Sequence, residues 1–218
     1  MRDYRLSLVR LALYGLLALS LLPVVMMILL SLKSNVEIIT DFWSWPNSIR
    51  WDNYPAAFAT VATSTLNSLF VALVSCAGIL LLSSLTGFVF ARHKFPGKEL
   101  LFSLLIALIM LPQVLLLVPL FIEIKSMGLD NSYWALILPY LSGGQLIGIL
   151  LCRGFFSTIP REFFESARID GASEFQIYGR IVLPLSLPIL TTIAIINFHA
   201  IYNDFIWPLM VIQHQDLK

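Results

Sequence analysis

The sequence predicts an all-α, polytopic transmembrane helical bundle, on three observations. Of its 218 residues, 58% are hydrophobic and only 12% are charged, about half the charged share of an ordinary soluble domain. Apolar runs recur at the roughly 20 residues needed to cross a hydrocarbon core at 1.5 Å each. The basic residues collect in alternate loops. A net charge of +1 shows no global bias toward nucleic acid or other polyanions.

The elements follow in order. Residues 1–10 form a short basic N-terminus, and 11–32 the first span. A signal peptide is the competing reading. The run is longer than an ordinary leader core and lacks a small-x-small cleavage site, so a retained helix is preferred, kinked at Pro23. Residues 33–64 read as an extracytoplasmic loop in which Trp43, Trp45, Trp51 and Tyr54 form an interfacial aromatic belt. Pro46 and Pro55 argue against a long helix there. The second span is 65–91, followed by a basic turn at 92–99 punctuated by Pro96-Gly97. The third span, 100–122, carries Pro112 and Pro119. A loop at 123–133 leads to the fourth span, 134–156, with Pro139 and Gly143-Gly144 inside it. A polar loop at 157–184, a fifth span at 185–207 and a tail at 208–218 complete the chain. Prolines inside spans are tolerated where a neighbour satisfies the carbonyl they free, and transporters use such broken helices. Cys76 and Cys152 both fall in apolar segments and read as small buried hydrophobes.

Orientation comes from charge. Grouping the N-terminus with the loops at 92–99 and 157–184 collects Arg2, Arg5, Arg10, Arg92, Lys94, Lys98, Arg153, Arg161, Arg168 and Arg180, leaving four of the 14 basic residues opposite. The richer side is cytoplasmic by the positive-inside rule, and the N-terminus lies there.

The stretch from Arg161 to Pro188 is the longest that is helically patterned without being mostly apolar. Glu162, Glu165, Asp170 and Glu174 sit among Phe163, Phe164, Ala167, Ile169 and Phe175 at three- and four-residue steps. Gly171 interrupts the run. Periodicity alone leaves two readings open, a helix lying on lipid headgroups and a helix docked in a groove of a soluble partner. The spacing decides. Glu165-Ser166-Ala167, Gly171 and Ile181-x-Leu183-Pro184 resemble the EAA signature of ABC importer permeases, with Ser166 in place of a second alanine. Ala91-Arg92-His93-Lys94-Phe95-Pro96-Gly97-Lys98 and Asn203-Asp204-Phe205-Ile206-Trp207-Pro208-Leu209 are similar to segments of the carbohydrate-type branch of that family, which includes maltose and glycerol-phosphate permeases.

The resemblance implies a permease domain over about 62–218 within a six-helix subunit, of which five spans are present. The missing last span is expected to reflect a truncation or a fragment boundary. It also implies a bacterial inner-membrane location among membrane lipid. The implied partners are a second permease subunit, two cytoplasmic ATPase subunits and an extracytoplasmic solute-binding protein. No cofactor is expected on this chain, since ATP and Mg would sit on the ATPase. The 157–184 loop would be the coupling helix. Its contacts are expected from Phe163, Phe164, Glu165, Ser166, Ala167, Ile169, Asp170, Gly171, Ala172, Ile181, Leu183 and Pro184. Of these, Phe163, Phe164 and Ile169 would be apolar anchors, Ala167 and Ala172 would allow close approach, and Glu165 would make a charge-assisted contact.

Intramembrane polar groups are pathway candidates by default. Asn67, Gln113, Asn197, Tyr202 and Asn203 suit a sugar, which needs amide and hydroxyl partners and aromatic faces. Interhelical hydrogen bonding explains the same groups. No Walker A loop, H-E-x-x-H or G-x-S-x-G occurs, so no catalytic residue and no metal site is expected. Uptake of amino acids or peptides is the alternative within the importer class. A non-transporting scaffold or receptor subunit is the alternative outside it.

Overall fold

The structure is a computed structural model. It describes residues 2–213, with side chains from Val9 onward. The side chains of Arg2 and Arg5, and residues 214–218 of the expected tail with Lys218 of the charge count, lie outside what is described. The described residues are helical and turn, with no strand. Among the described residues, three helices are long and apolar enough to cross a membrane, and two sharply bent pairs raise that number to five if each pair is one span. The chain divides into two compact units, Met1–Ala62 and Thr63–Lys218.

In the first unit, α1 (Arg2–Ser31) bears no charged residue from Leu11 onward and carries Pro23. After it, Ser34 and Glu37 form a reciprocal capping box that starts α2 (Asn35–Thr40). The Lys33 ammonium is buried and donates to the carbonyls of Asp41 (2.7 Å) and Phe42 (3.2 Å) and to Ser44 Oγ (3.2 Å). Asn53 Nδ2 donates to the carbonyls of Ser31 (2.8 Å) and Lys33 (2.9 Å). The loop is therefore ordered by its own polar groups, with Trp43, Trp45 and Trp51 exposed. Contrary to the expectation from Pro55, α3 already starts at Asn53 and runs to Arg92. Pro55 stands in the first turn, where a missing N–H loses no intrahelical bond. At 40 residues, α3 is about 60 Å long.

In the second unit, the part of α3 beyond Ala62 packs along α6 (Trp134–Thr158). Ile79, Ser83 and Gly87 on one helix meet Gly144, Gly148 and Cys152 on the other, each set in steps of four. A Cβ on Gly148 would lie 2.6 Å from Ser83 Cβ, and one on Gly87 would lie 2.5 Å from Cys152 Cβ. Small residues at this spacing let backbones approach where lipid supplies no hydrophobic drive. Between them lie α4 (Lys98–Ile109) and α5 (Gln113–Ser126), which meet at 98° across Pro112. The expected third span is thus two helices.

After α6 come α7 (Arg161–Ile169), α8 (Glu174–Ile177), a π-helical turn (Tyr178–Val182) and α9 (Leu183–Leu185). A 76° bend at Ser186 then leads into α10 (Leu187–Tyr202) and α11 (Ile206–Val211). Pro139 has no N–H to give the Ala135 carbonyl four residues back. The buried Trp207 indole donates to that carbonyl at 3.0 Å, so α11 repairs the break in α6.

Candidate functional site

The 157–184 loop is built on α7 and a glycine stop. The Gly171 N–H bonds the Arg168 carbonyl (3.1 Å) and the Ala172 N–H bonds the Ala167 carbonyl (2.9 Å). Gly171 has φ +77°. This double closure needs a left-handed residue, and glycine adopts one without the strain of a side chain. Ala167 and Ala172 are partly buried where the motif closes on itself. Ser173 and Gln176 then cap α8 reciprocally.

One stripe of α7 faces inward and the rest stays open. Phe164 is buried, and its ring lies 6.5 Å from Phe88 and 4.1 Å under the Arg92 guanidinium. Arg92, at the end of α3, donates through Nη2 to the carbonyls of Phe156 and Ile159 at the end of α6. The Tyr178 ring lies tilted against Phe88 (5.6 Å), and its hydroxyl meets Ser84 Oγ at 2.7 Å. The loop is thereby fastened to both α3 and α6. Phe164, expected as an apolar anchor in a partner, is packed here against its own chain. It sits on the same stripe as Ala167, three residues on, and its chain's own helices have filled that stripe. Ile181 and Leu183 likewise pack on the core, while Pro184 is exposed. The open arc of α7 carries Phe163, Glu165, Ser166, Ile169 and Asp170, with Ile169 85% exposed, and Phe175 extends the surface at 82%. Arg168 is tied to Glu174 at 3.0 Å and His93 approaches Glu174 at 3.5 Å.

At the other end of the second unit, a cavity of about 710 Å³ opens between α5, α6 and α10. It brings together two of the five expected pathway residues, Gln113 and Asn197, with Glu123, Tyr140, Ser142 and Asp204. Asn197 is buried, donates to the Ile193 carbonyl at 3.0 Å and lies against Gly144. Asn67 and Tyr202 line an adjoining cavity of about 60 Å³ instead. Asn67 accepts from the Tyr133 hydroxyl (2.9 Å), and Tyr202 stacks on Phe198 (5.6 Å). Asn203 donates to the His199 carbonyl on its own helix (2.8 Å) and lines neither cavity. Sequence reasoning missed the Tyr140–Asp204 hydrogen bond (2.9 Å), which joins residues 64 apart. A tyrosine one residue after a proline near the start of a span was the available signal.

The larger cavity offers amide, hydroxyl and carboxylate partners among apolar walls, and the described residues that line it include no basic side chain.

Residues 79–218 match the family described as the binding-protein-dependent transport system inner membrane component. The chain is 33% identical over 197 residues to the probable ABC transporter permease protein YurM of Bacillus subtilis, covering 90% of this chain and 66% of that protein. It is 31% identical over 198 residues to the diacetylchitobiose uptake system permease protein NgcG of Streptomyces coelicolor, again covering 90% and 66%. The chain thus spans just under two thirds of the length of these relatives. A chain in the crystal structure of a bacterial ABC transporter involved in the import of the acidic polysaccharide alginate superposes with a TM-score of 0.80 at 21% identity, covering all of this chain and 78% of that one. At that identity the likeness speaks to fold.

Proposed function

Because the chain belongs to the family of binding-protein-dependent transport system inner membrane components, we propose that it is the membrane-spanning permease subunit of an ATP-driven importer for a sugar or oligosaccharide. In this reading α7 is the handle that a cytoplasmic ATPase subunit grips. The observation that carries it is the split character of α7, with one stripe locked to α3 and α6 through Phe164 and Arg92 and an open arc showing Phe163, Glu165, Ile169 and Asp170.

An amphipathic helix of that kind suits a groove on a partner. Glu165 supplies a charge-assisted contact at its centre. ATP and Mg would be held by the ATPase, and closure of two such subunits would carry α7 and the ends of α3 and α6 with it. A second permease subunit completes the pathway and an extracytoplasmic binding protein delivers the solute. The N-terminus and the loops at 92–99 and 157–184 face the cytoplasm. The substrate class rests on the polar, partly apolar cavity and on the chitobiose-uptake relative.

The test is uptake by the reconstituted transporter. Glu165→Lys and Gly171→Asp are each expected to abolish ATP-driven uptake and co-purification of the ATPase. Intact uptake in both variants refutes the coupling role. Transport of amino acids or peptides in preference to oligosaccharides refutes the substrate class.

A further inference from the structure

The inner side of the same loop closes a further cavity, of about 220 Å³, against the end of α3. Its charged walls are Arg92, Lys94, Arg161, Arg168 and Glu165, four cations against one carboxylate. Arg168 is already paired with Glu174. Neither Lys94 nor Arg161 has an ion-pair partner among the described residues. The Arg92 Nε is buried with no hydrogen-bond acceptor, although its Nη2 is engaged. Arg161 stands near enough to Arg92 to repel it. Like charges crowded in this way, with a buried donor left over, are relieved by an anion. A guanidinium edge beside an ammonium matches phosphate oxygens.

We propose that this cavity binds a phosphate group, that of an anionic phospholipid headgroup in the leaflet that α7 faces. The inference rests on the cytoplasmic orientation given above. A lipid is favoured over a free ion because Arg92 closes a long apolar helix, which sets the cavity at headgroup depth. Basic pockets between spans on the cytoplasmic side take such headgroups. The bound headgroup neutralises the Arg92–Arg161 repulsion and holds α7 against α3.

The test is native mass spectrometry of the assembled transporter released from nanodiscs of equal phosphatidylglycerol and phosphatidylcholine. The wild type is expected to retain phosphatidylglycerol preferentially. Lys94→Gln, an exposed position outside α7, is expected to cut that retention about fivefold, the factor that one basic side chain contributes near a charged leaflet. Retention that survives added inorganic phosphate supports the headgroup, and displacement by it overturns the lipid source in favour of free phosphate. Equal retention of the two lipids, or no change in Lys94→Gln, overturns the site. Co-purified ATPase is scored in the same samples. Its absence from the wild type counts against the coupling role, whereas lipid loss with the ATPase retained belongs to this cavity alone.

Discussion

The loops at 32–53 and 157–184 are both polar inserts ordered by a cation that bonds backbone carbonyls, yet the cations reach very different distances. Lys33 holds Asp41, Phe42 and Ser44, eight to eleven residues on. Arg92 holds Phe156 and Ile159, 64 and 67 residues on. The first loop is tied to itself. The second is tied to the ends of two long helices, and α7, whose Phe164 ring lies under Arg92, is joined through that residue to both. Similar chemistry thus yields a self-contained cap in one place and a tie between long helices in the other, which is what the proposed coupling role of α7 requires.

The largest expected effect is that of Arg92→Ala. It removes two charge-assisted hydrogen bonds and the cation over Phe164, about 3 kcal/mol or more. Uptake should fall at least about tenfold, as that energy allows. Lys33→Met loses three local bonds and should leave uptake within about twofold, since its opening stays local. Transport assays on the two variants side by side check this, and equal losses would break the comparison.

Trp207→Phe should come next. It leaves the Ala135 carbonyl freed by Pro139 without a donor, costing about 1–3 kcal/mol, and should lower the thermal unfolding midpoint in detergent. A smaller loss is expected for Gly171→Ala, about 1–2 kcal/mol from the left-handed backbone alone. Here coupling should suffer more than stability, which sharpens the case for the loop as a lever. Uptake and unfolding measured on the same preparation separate the two.

The smallest effect concerns pH in the first loop. The Glu37 carboxylate accepts from the Ser34 and Asn47 backbone N–H groups and from the Ser34 hydroxyl. Led by the Ser34 backbone bond, these hold its pKa at about 2, below the ordinary 4.5. A depressed carboxylate contributes order above its unfolded pKa and loses it as pH falls through the folded one. Fluorescence of Trp43, Trp45 and Trp51 should therefore shift between about pH 4.5 and 2. Glu37→Gln, which removes the titrating group, should abolish that shift.

How much of this was legible varies with the physics. Lipid imposes composition, so the all-α membrane class could be read from apolar runs alone. Pro112 announced a break, but the 98° angle depends on how α4 and α5 pack, which one chain's pattern does not encode. Phe163 and Phe164 are chemically identical neighbours. Which one turns inward is decided by Phe88 and Arg92, more than 70 residues earlier. Gly171 was legible as a turn because few other residues adopt its backbone. The pairing of Tyr140 with Asp204 and the rescue of the Pro139 break by Trp207 were not, since each joins partners more than 60 residues apart. A carbonyl freed near the start of α6 did require some donor, and only the fold identifies it.

The most direct measurement is site-specific cross-linking in the assembled transporter, with single cysteines placed at Ile169 and at Ile39. Both positions are about 85% exposed, and the native Cys76 and Cys152 are buried. Ile169→Cys is expected to cross-link to the ATP-hydrolysing subunit in a nucleotide-dependent manner, and Ile39→Cys is expected not to. Cross-linking of the ATPase through position 39, or none through position 169 in a transporter that still takes up solute, would contradict the assignment of α7 as its handle.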